Sequence, residues 1–189
     1  MRLFAAVLPP AQAIHELAVA VERLHTLPGS GGLRWTGHDG WHFTLAFLGE
    51  VDEEILPVIE ERFGRAAARQ DPFPLRLHGG GHFGRRALWV GAAGGIDAMR
   101  LLADRADAAA RRAGVAMEEH RAYKAHLTIA RSRTGFDTDL RPYVEALAHF
   151  EGTAWTVGEL ALVRSNPPVP GVPGAQPRYE PVRVWPLGR

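Results

Sequence analysis

The chain has 189 residues, no cysteine, and a formal net charge of +1 from 22 Lys+Arg against 21 Asp+Glu. That length builds one domain, or two small lobes on a shared core. The missing cysteines exclude disulfides, thiolate metal sites and thiol nucleophiles, and the near-balanced charge argues against nonspecific coating of long nucleic acid.

The first element is a strand, Leu3 to Leu8, too short an apolar run for a secretion signal and stopped by Pro9-Pro10. No apolar run reaches the roughly 20 residues of a membrane span, so the expectation is a cytoplasmic monomer with no membrane partner. Pro10 opens a helix in which Ile14, Leu17, Ala18, Val21 and Leu24 recur at helical spacing. Pro28 to Gly32 is a loop, and Leu33 to Thr36 a short strand. Trp41-His42-Phe43-Thr44-Leu45-Ala46-Phe47-Leu48-Gly49 is the next strand. Asp52 is placed to cap a helix with Ile55, Val58, Ile59 and Phe63 on one stripe, and Phe73, Leu75 and Leu77 alternate as a strand.

Then the pattern restarts. Ala87 to Gly91 is a strand, Asp97 begins a helix carrying Met99, Leu102, Ala106 and Ala109, and Gly114 follows its end. Ala125-His126-Leu127-Thr128-Ile129-Ala130-Arg131 is a second strand with His, an apolar residue and Thr in succession. A helical stretch with Leu140, Val144 and Leu147, a strand from Val157 to Val163, a Pro/Gly-rich loop from Asn166 to Pro177 and a last strand from Tyr179 to Leu187 complete the chain. His42 to His126, Phe4 to Leu88 and Leu75 to Glu159 are each separated by 84 positions. The chain therefore reads as one domain, 1–189, with an internal repeat over about 1–84 and 85–189. The expected fold is α+β, two-lobed and pseudo-twofold, mostly antiparallel sheets flanked by helices around a central cleft.

Because side chains alternate along a strand, His42 and Thr44 share one face while Phe43 and Leu45 share the other, and His126 and Thr128 repeat this. A pseudo-twofold packing turns both pairs into one cleft. A phosphate held there sits between two imidazoles of ordinary pKa near 6.5, one able to accept a proton from an attacking hydroxyl and one able to protonate the departing oxygen. The threonine hydroxyls can hold the nonbridging oxygens in line. The scheme needs no metal or other cofactor and suits a strained 2′,3′-cyclic phosphate. One assignment makes His126 the base and His42 the acid, although the near-equivalent halves do not separate these roles.

A lone histidine on a strand is most often a packed or surface residue, and a charge run is most often a solvated rim; the weight here comes from the duplication. Arg121, Lys124, Arg131 and Arg133 surround the second motif without an acidic residue between Arg121 and Phe136. Trp35 and Tyr123, at strand entrances, are candidates to stack a base, with Lys124 on the rim, whereas Trp41 and Phe47 fall on the core face. His78 and His82 are separated by three glycines, which spoils a helical metal-binding face, and Gly79-Gly80-Gly81 reads as a bulge or turn rather than a phosphate nest.

These residues resemble the 2H phosphoesterases, and within them the RNA 2′,3′-cyclic phosphodiesterases also called 2′-5′ RNA ligases. The resemblance runs through Arg2-Leu3-Phe4, Arg34-Trp35, His42 to Leu45, Phe47 to Glu50, Leu88-Trp89, His126 to Arg131, Val163-Arg164-Ser165 and Arg178-Tyr179-Glu180. It implies a metal-independent enzyme that opens terminal 2′,3′-cyclic phosphates to 2′-phosphates, acting on RNA ends, tRNA fragments among them, or on small nucleotides. It also implies His42 and His126 as the acid–base pair, Thr44 and Thr128 on the phosphate, and Arg131 as a further cation. Reversible 2′-5′ joining of tRNA halves, binding of RNA ends without turnover, and action on a small cyclic nucleotide are the alternatives. Ala46 stands where many relatives carry Lys, on the face expected to hold His42, and Ala125 stands where they often carry Pro, with Lys124 beside it to supply the charge.

Overall fold

The computed structural model describes residues 1–189. Nine strands form two wholly antiparallel sheets. They are β1 (Arg2–Val7), β2 (Leu33–Trp35), β3 (Phe43–Glu50), β4 (Phe73–Phe83), β5 (Ala87–Gly94), β6 (Leu127–Ser132), β7 (Trp155–Val157), β8 (Glu159–Asn166) and β9 (Arg178–Pro186). One sheet has the order β3-β1-β8-β9 and the other β2-β6-β5-β4-β7. The two halves of the chain thus exchange strands: β4 of the first half pairs with β5, and β8 of the second half pairs with β1. This is the expected α+β, two-lobed arrangement, and neither sheet is built from one half alone.

The helices are α1 (Ala11–Leu24), α2 (Leu56–Ala68), α3 (Ile96–Arg112) and α4 (Arg141–Leu147). None is long and apolar enough to cross a membrane. Their buried stripes include Leu17, Val21 and Leu24 from α1, Ile59 and Phe63 from α2, and Met99, Leu102 and Ala106 from α3. These side chains join Leu3, Ala5 and Val7 of β1 and Leu75, Leu77, Leu88 and Val90 of β4 and β5 in one continuous core. The opposite face of β1 carries Phe4 and Ala6, which meet Ala161, Val163 and Tyr179 in a second, smaller cluster.

Two sequence expectations shift, and the bulge expected at the glycine run is present. Asp52 makes no side-chain cap; a 3-10 turn over Glu53–Ile55 intervenes, and α2 begins at Leu56 with Pro57 in its first turn, where the fixed φ of proline suits a helix start. Val58 consequently lies outside the buried stripe. The strand expected over Val157 to Val163 is broken at Gly158 into β7 and β8, which belong to different sheets. The glycine run lies inside β4, with an irregular register between His78 and Gly80 and a left-handed Gly79 at φ +61, a bulge conformation that glycine adopts freely.

The strand pairing around the two His-x-Thr motifs is alike. Ala6 faces Thr44 across β1 and β3, as Trp89 faces Thr128 across β5 and β6. The threonines are 84 positions apart but Ala6 and Trp89 are 83 apart, so the counterpart of Phe4 is Ala87, opposite Arg131, rather than Leu88.

Candidate active site

His42 immediately precedes β3, and His126 immediately precedes β6. The His126 imidazole is tied to the chain two residues upstream, its Nδ1–H donating to the Lys124 carbonyl at 2.8 Å, and the backbone of Gly40, two residues before His42, favours the charged form of that ring. A carbonyl only accepts, so Nδ1 of His126 carries hydrogen and Nε2 is left to exchange protons.

Both strands then carry a bulge at the residue after the threonine. Ala6 pairs with Thr44 and Ala5 with Ala46, which leaves Leu45 unmatched. Trp89 pairs with Thr128 and Leu88 with Ala130, which leaves Ile129 unmatched. A bulge adds one residue and reverses the alternation beyond it. That reversal returns Arg131 to the face of His126 and Thr128, where strict alternation would have turned it away.

The same reversal corrects two expectations in the first half. Ala46 is buried in the core at 7% exposure and does not share the face of His42. Phe47, expected on the core face, is 49% exposed, with the Arg2 guanidinium 5.1 Å from its ring centroid. Trp41 is buried, as its position predicts.

His42, Thr44, His126, Thr128 and Arg131 line one cleft of about 150 Å³ between the sheets, together with Thr36, Gly40 and Tyr179. The donor set is two imidazoles, three hydroxyl-bearing side chains besides Tyr179, and one guanidinium, with no carboxylate. That is the chemistry of an anion site, not of a hard-cation site. Volume alone does not mark it: a depression of about 580 Å³ beside Leu8 and Trp155 offers no imidazole and only Glu159 and Arg189 as charged groups.

The two imidazoles have different surroundings. His42 stacks on Phe4 with ring centroids 4.6 Å apart, and Tyr179 meets it edge-on at 5.1 Å. Desolvation by this aromatic wall lowers the His42 pKa to about 4, against the opposing pull of the Gly40 backbone. His126 has Phe83 edge-on at 5.0 Å and Trp89 at 6.0 Å.

The three expected rim residues do not border this cleft. Trp35 turns back against His25 and Tyr143, with its indole N–H donating to the Ser30 carbonyl at 3.2 Å. Tyr123 and Lys124 line a separate pocket next to His126. The segment that carries them has no regular secondary structure, so neither strand nor helix periodicity reaches their orientation. Tyr179 and Thr36 were missed as cleft residues. The period-2 pattern of β9 could have placed Tyr179 on one face but not assigned that face to the cleft.

The family model described as the 2′-5′ RNA ligase superfamily matches residues 9–167. A Geobacillus stearothermophilus protein named RNA 2′,3′-cyclic phosphodiesterase is 29% identical over 157 residues, which is 81% of this chain but 47% of that protein. The chain therefore spans about half the length of that relative. An Escherichia coli K12 protein of the same name is 30% identical over 189 residues, covering 98% of this chain and 96% of the relative. Among solved structures, apo E. coli LigT matches with a TM-score of 0.74 at 26% identity, over 100% of this chain and 98% of that one.

Proposed function

The chain belongs to the 2′-5′ RNA ligase superfamily, and we propose that it hydrolyses RNA 2′,3′-cyclic phosphate ends to 2′-phosphates by metal-independent acid–base catalysis. The observation that carries this reading is the convergence of both His-x-Thr pairs and Arg131 on one cleft. Relatives named for the same reaction and a LigT structure titled as complexed with 3′-AMP support it.

Thr44, Thr128 and Arg131 hold the phosphoryl oxygens and balance their charge. With a pKa near 4, His42 is neutral in the free enzyme at neutral pH, which suits it to take the proton from the attacking water. His126 then protonates the 3′ oxygen as the P–O3′ bond breaks, leaving the phosphate on the 2′ oxygen. This is the opposite of the assignment suggested by the sequence, where the halves look alike; the desolvation of His42 against Phe4 and Tyr179 supports it. A 5′-hydroxyl in place of water gives the 2′-5′ joining reaction on the same geometry. The reading describes a cytoplasmic monomer that acts on RNA ends such as tRNA halves.

The test is incubation with an oligoribonucleotide ending in 2′,3′-cyclic phosphate, in chelator, with product analysis. A 2′-phosphate end is the expected product. Binding without turnover would leave an RNA-end binding protein instead.

A further inference from the structure

We propose that the pocket beside His126, walled by Trp89, Tyr123 and Lys124, seats the nucleotide that precedes the cyclic-phosphate end, so that the enzyme reads an RNA chain rather than a lone nucleotide. The inference rests on the phosphodiesterase reading of the cleft and names its substrate class.

Two residues join the pocket to the catalytic cleft. Lys124 gives its carbonyl to Nδ1–H of His126 and its side chain to the pocket. Trp89 lies opposite Thr128 in the sheet and 6.0 Å from the His126 ring. The pocket, about 400 Å³, therefore lies directly beside the phosphate site and is roomier than it.

Its chemistry fits a nucleotide. His78, Arg100 and Lys124 line it, and no Asp or Glu does, so it complements a phosphodiester. Lys124 Nζ stands 4.8 Å from the centroid of the Trp89 ring. Trp89 and Tyr123 provide aromatic surface of the kind on which bases stack. Trp89 is only 8% exposed and its Nε1 has no acceptor, and the Tyr123 hydroxyl is buried without a partner. Both atoms are buried, so the rings rather than their polar atoms meet an occupant of the pocket. The seat of the indole is built for it, because any Cβ at Gly81 would collide with the Trp89 ring.

The experiment compares kcat/KM for adenosine 2′,3′-cyclic phosphate and for the dinucleotide ApA ending in 2′,3′-cyclic phosphate, in the wild type and in the double variant His78→Gln, Arg100→Gln. Both replaced residues are exposed, so the fold is retained. The wild type is expected to prefer the dinucleotide, and the variant to lose about tenfold of that preference with the mononucleotide rate unchanged. Equal wild-type kcat/KM for the two substrates overturns the proposal. So does a parallel fall for both in the variant, which would put the terminal base in the pocket. If neither substrate is hydrolysed, the phosphodiesterase reading has failed. Tryptophan quenching by ApA bearing a terminal 2′-phosphate then decides the pocket, and equal affinity for wild type and variant overturns it.

Discussion

Phe4 lies stacked on His42, with ring centroids 4.6 Å apart and planes inclined by 28°. The phenyl ring displaces water from the imidazole and so penalises the imidazolium, which is why the His42 pKa falls to about 4. If His42 is the base, the acid limb of kcat/KM against pH lies near 4. Phe4→Ala readmits water and moves that limb up toward the ordinary value near 6.5. A wild-type limb already near 6.5, or one that Phe4→Ala leaves in place, removes His42 from the role of base.

The same contact makes a statement about stability. Between about pH 4 and 6.5 the unfolded chain binds a proton at His42 and the folded chain does not, so stability rises with pH across that window. The contribution is complete above pH 6.5 and is lost as pH falls toward 4. It amounts to no more than about 3 kcal/mol. Chemical denaturation at pH 4.5 and pH 7.5 measures it: the difference between the two is expected to shrink in His42→Gln. An unchanged difference would mean that the folded imidazole titrates as it does in the open chain.

Each histidine is expected to matter on its own. His42→Ala and His126→Ala each lower kcat by about 10²- to 10⁴-fold, the range of a lost general acid or base, with circular dichroism unaltered. Arg131→Gln lowers kcat/KM by about 10- to 100-fold, the worth of a charged hydrogen bond. Near-normal turnover of a cyclic-phosphate RNA end by either alanine variant would break the pairing of the two motifs.

Much of this was legible in the chain. The His-x-Thr repeat, the strand around it and the apolar stripes of α1 and α3 follow from period and spacing, because those signals are local. The bulges at Leu45 and Ile129 were not legible, since nothing in either residue type announces an extra position in a ladder. Yet these bulges turn Arg131 into the cleft and Ala46 into the core. The exchange of β4 and β8 between sheets was equally hidden, because strand pairing is a long-range choice that alternation does not encode. The aromatic wall of Phe4 and Tyr179 around His42 depends on that exchange: β1 brings Phe4 and β9, paired to β8, brings Tyr179.

Chelation is expected to leave the rate unchanged. The cleft offers imidazoles, hydroxyls and a guanidinium but no carboxylate, and in the proposed mechanism the leaving oxygen receives its proton from a side chain. Turnover in EDTA within twofold of the untreated rate agrees with this; a loss that Mg²⁺ or Mn²⁺ restores would assign the reaction to a metal.

Gly81 ties packing to catalysis. Its backbone lies opposite Trp89 in the β4–β5 ladder, and a Cβ there would run into the indole ring. Because Trp89 is 8% exposed, the ring has little room to retreat. Gly81→Ala is therefore an overpacking change, expected to cost about 1–3 kcal/mol, or a fall in Tm of roughly 2–12 °C for a chain of this size. The displaced indole borders His126 at 6.0 Å, so kcat/KM falls as well, and cooling the assay does not recover it. A variant with the wild-type Tm would mean that the indole repacks freely, and that the glycine is there for reasons other than the seat of Trp89.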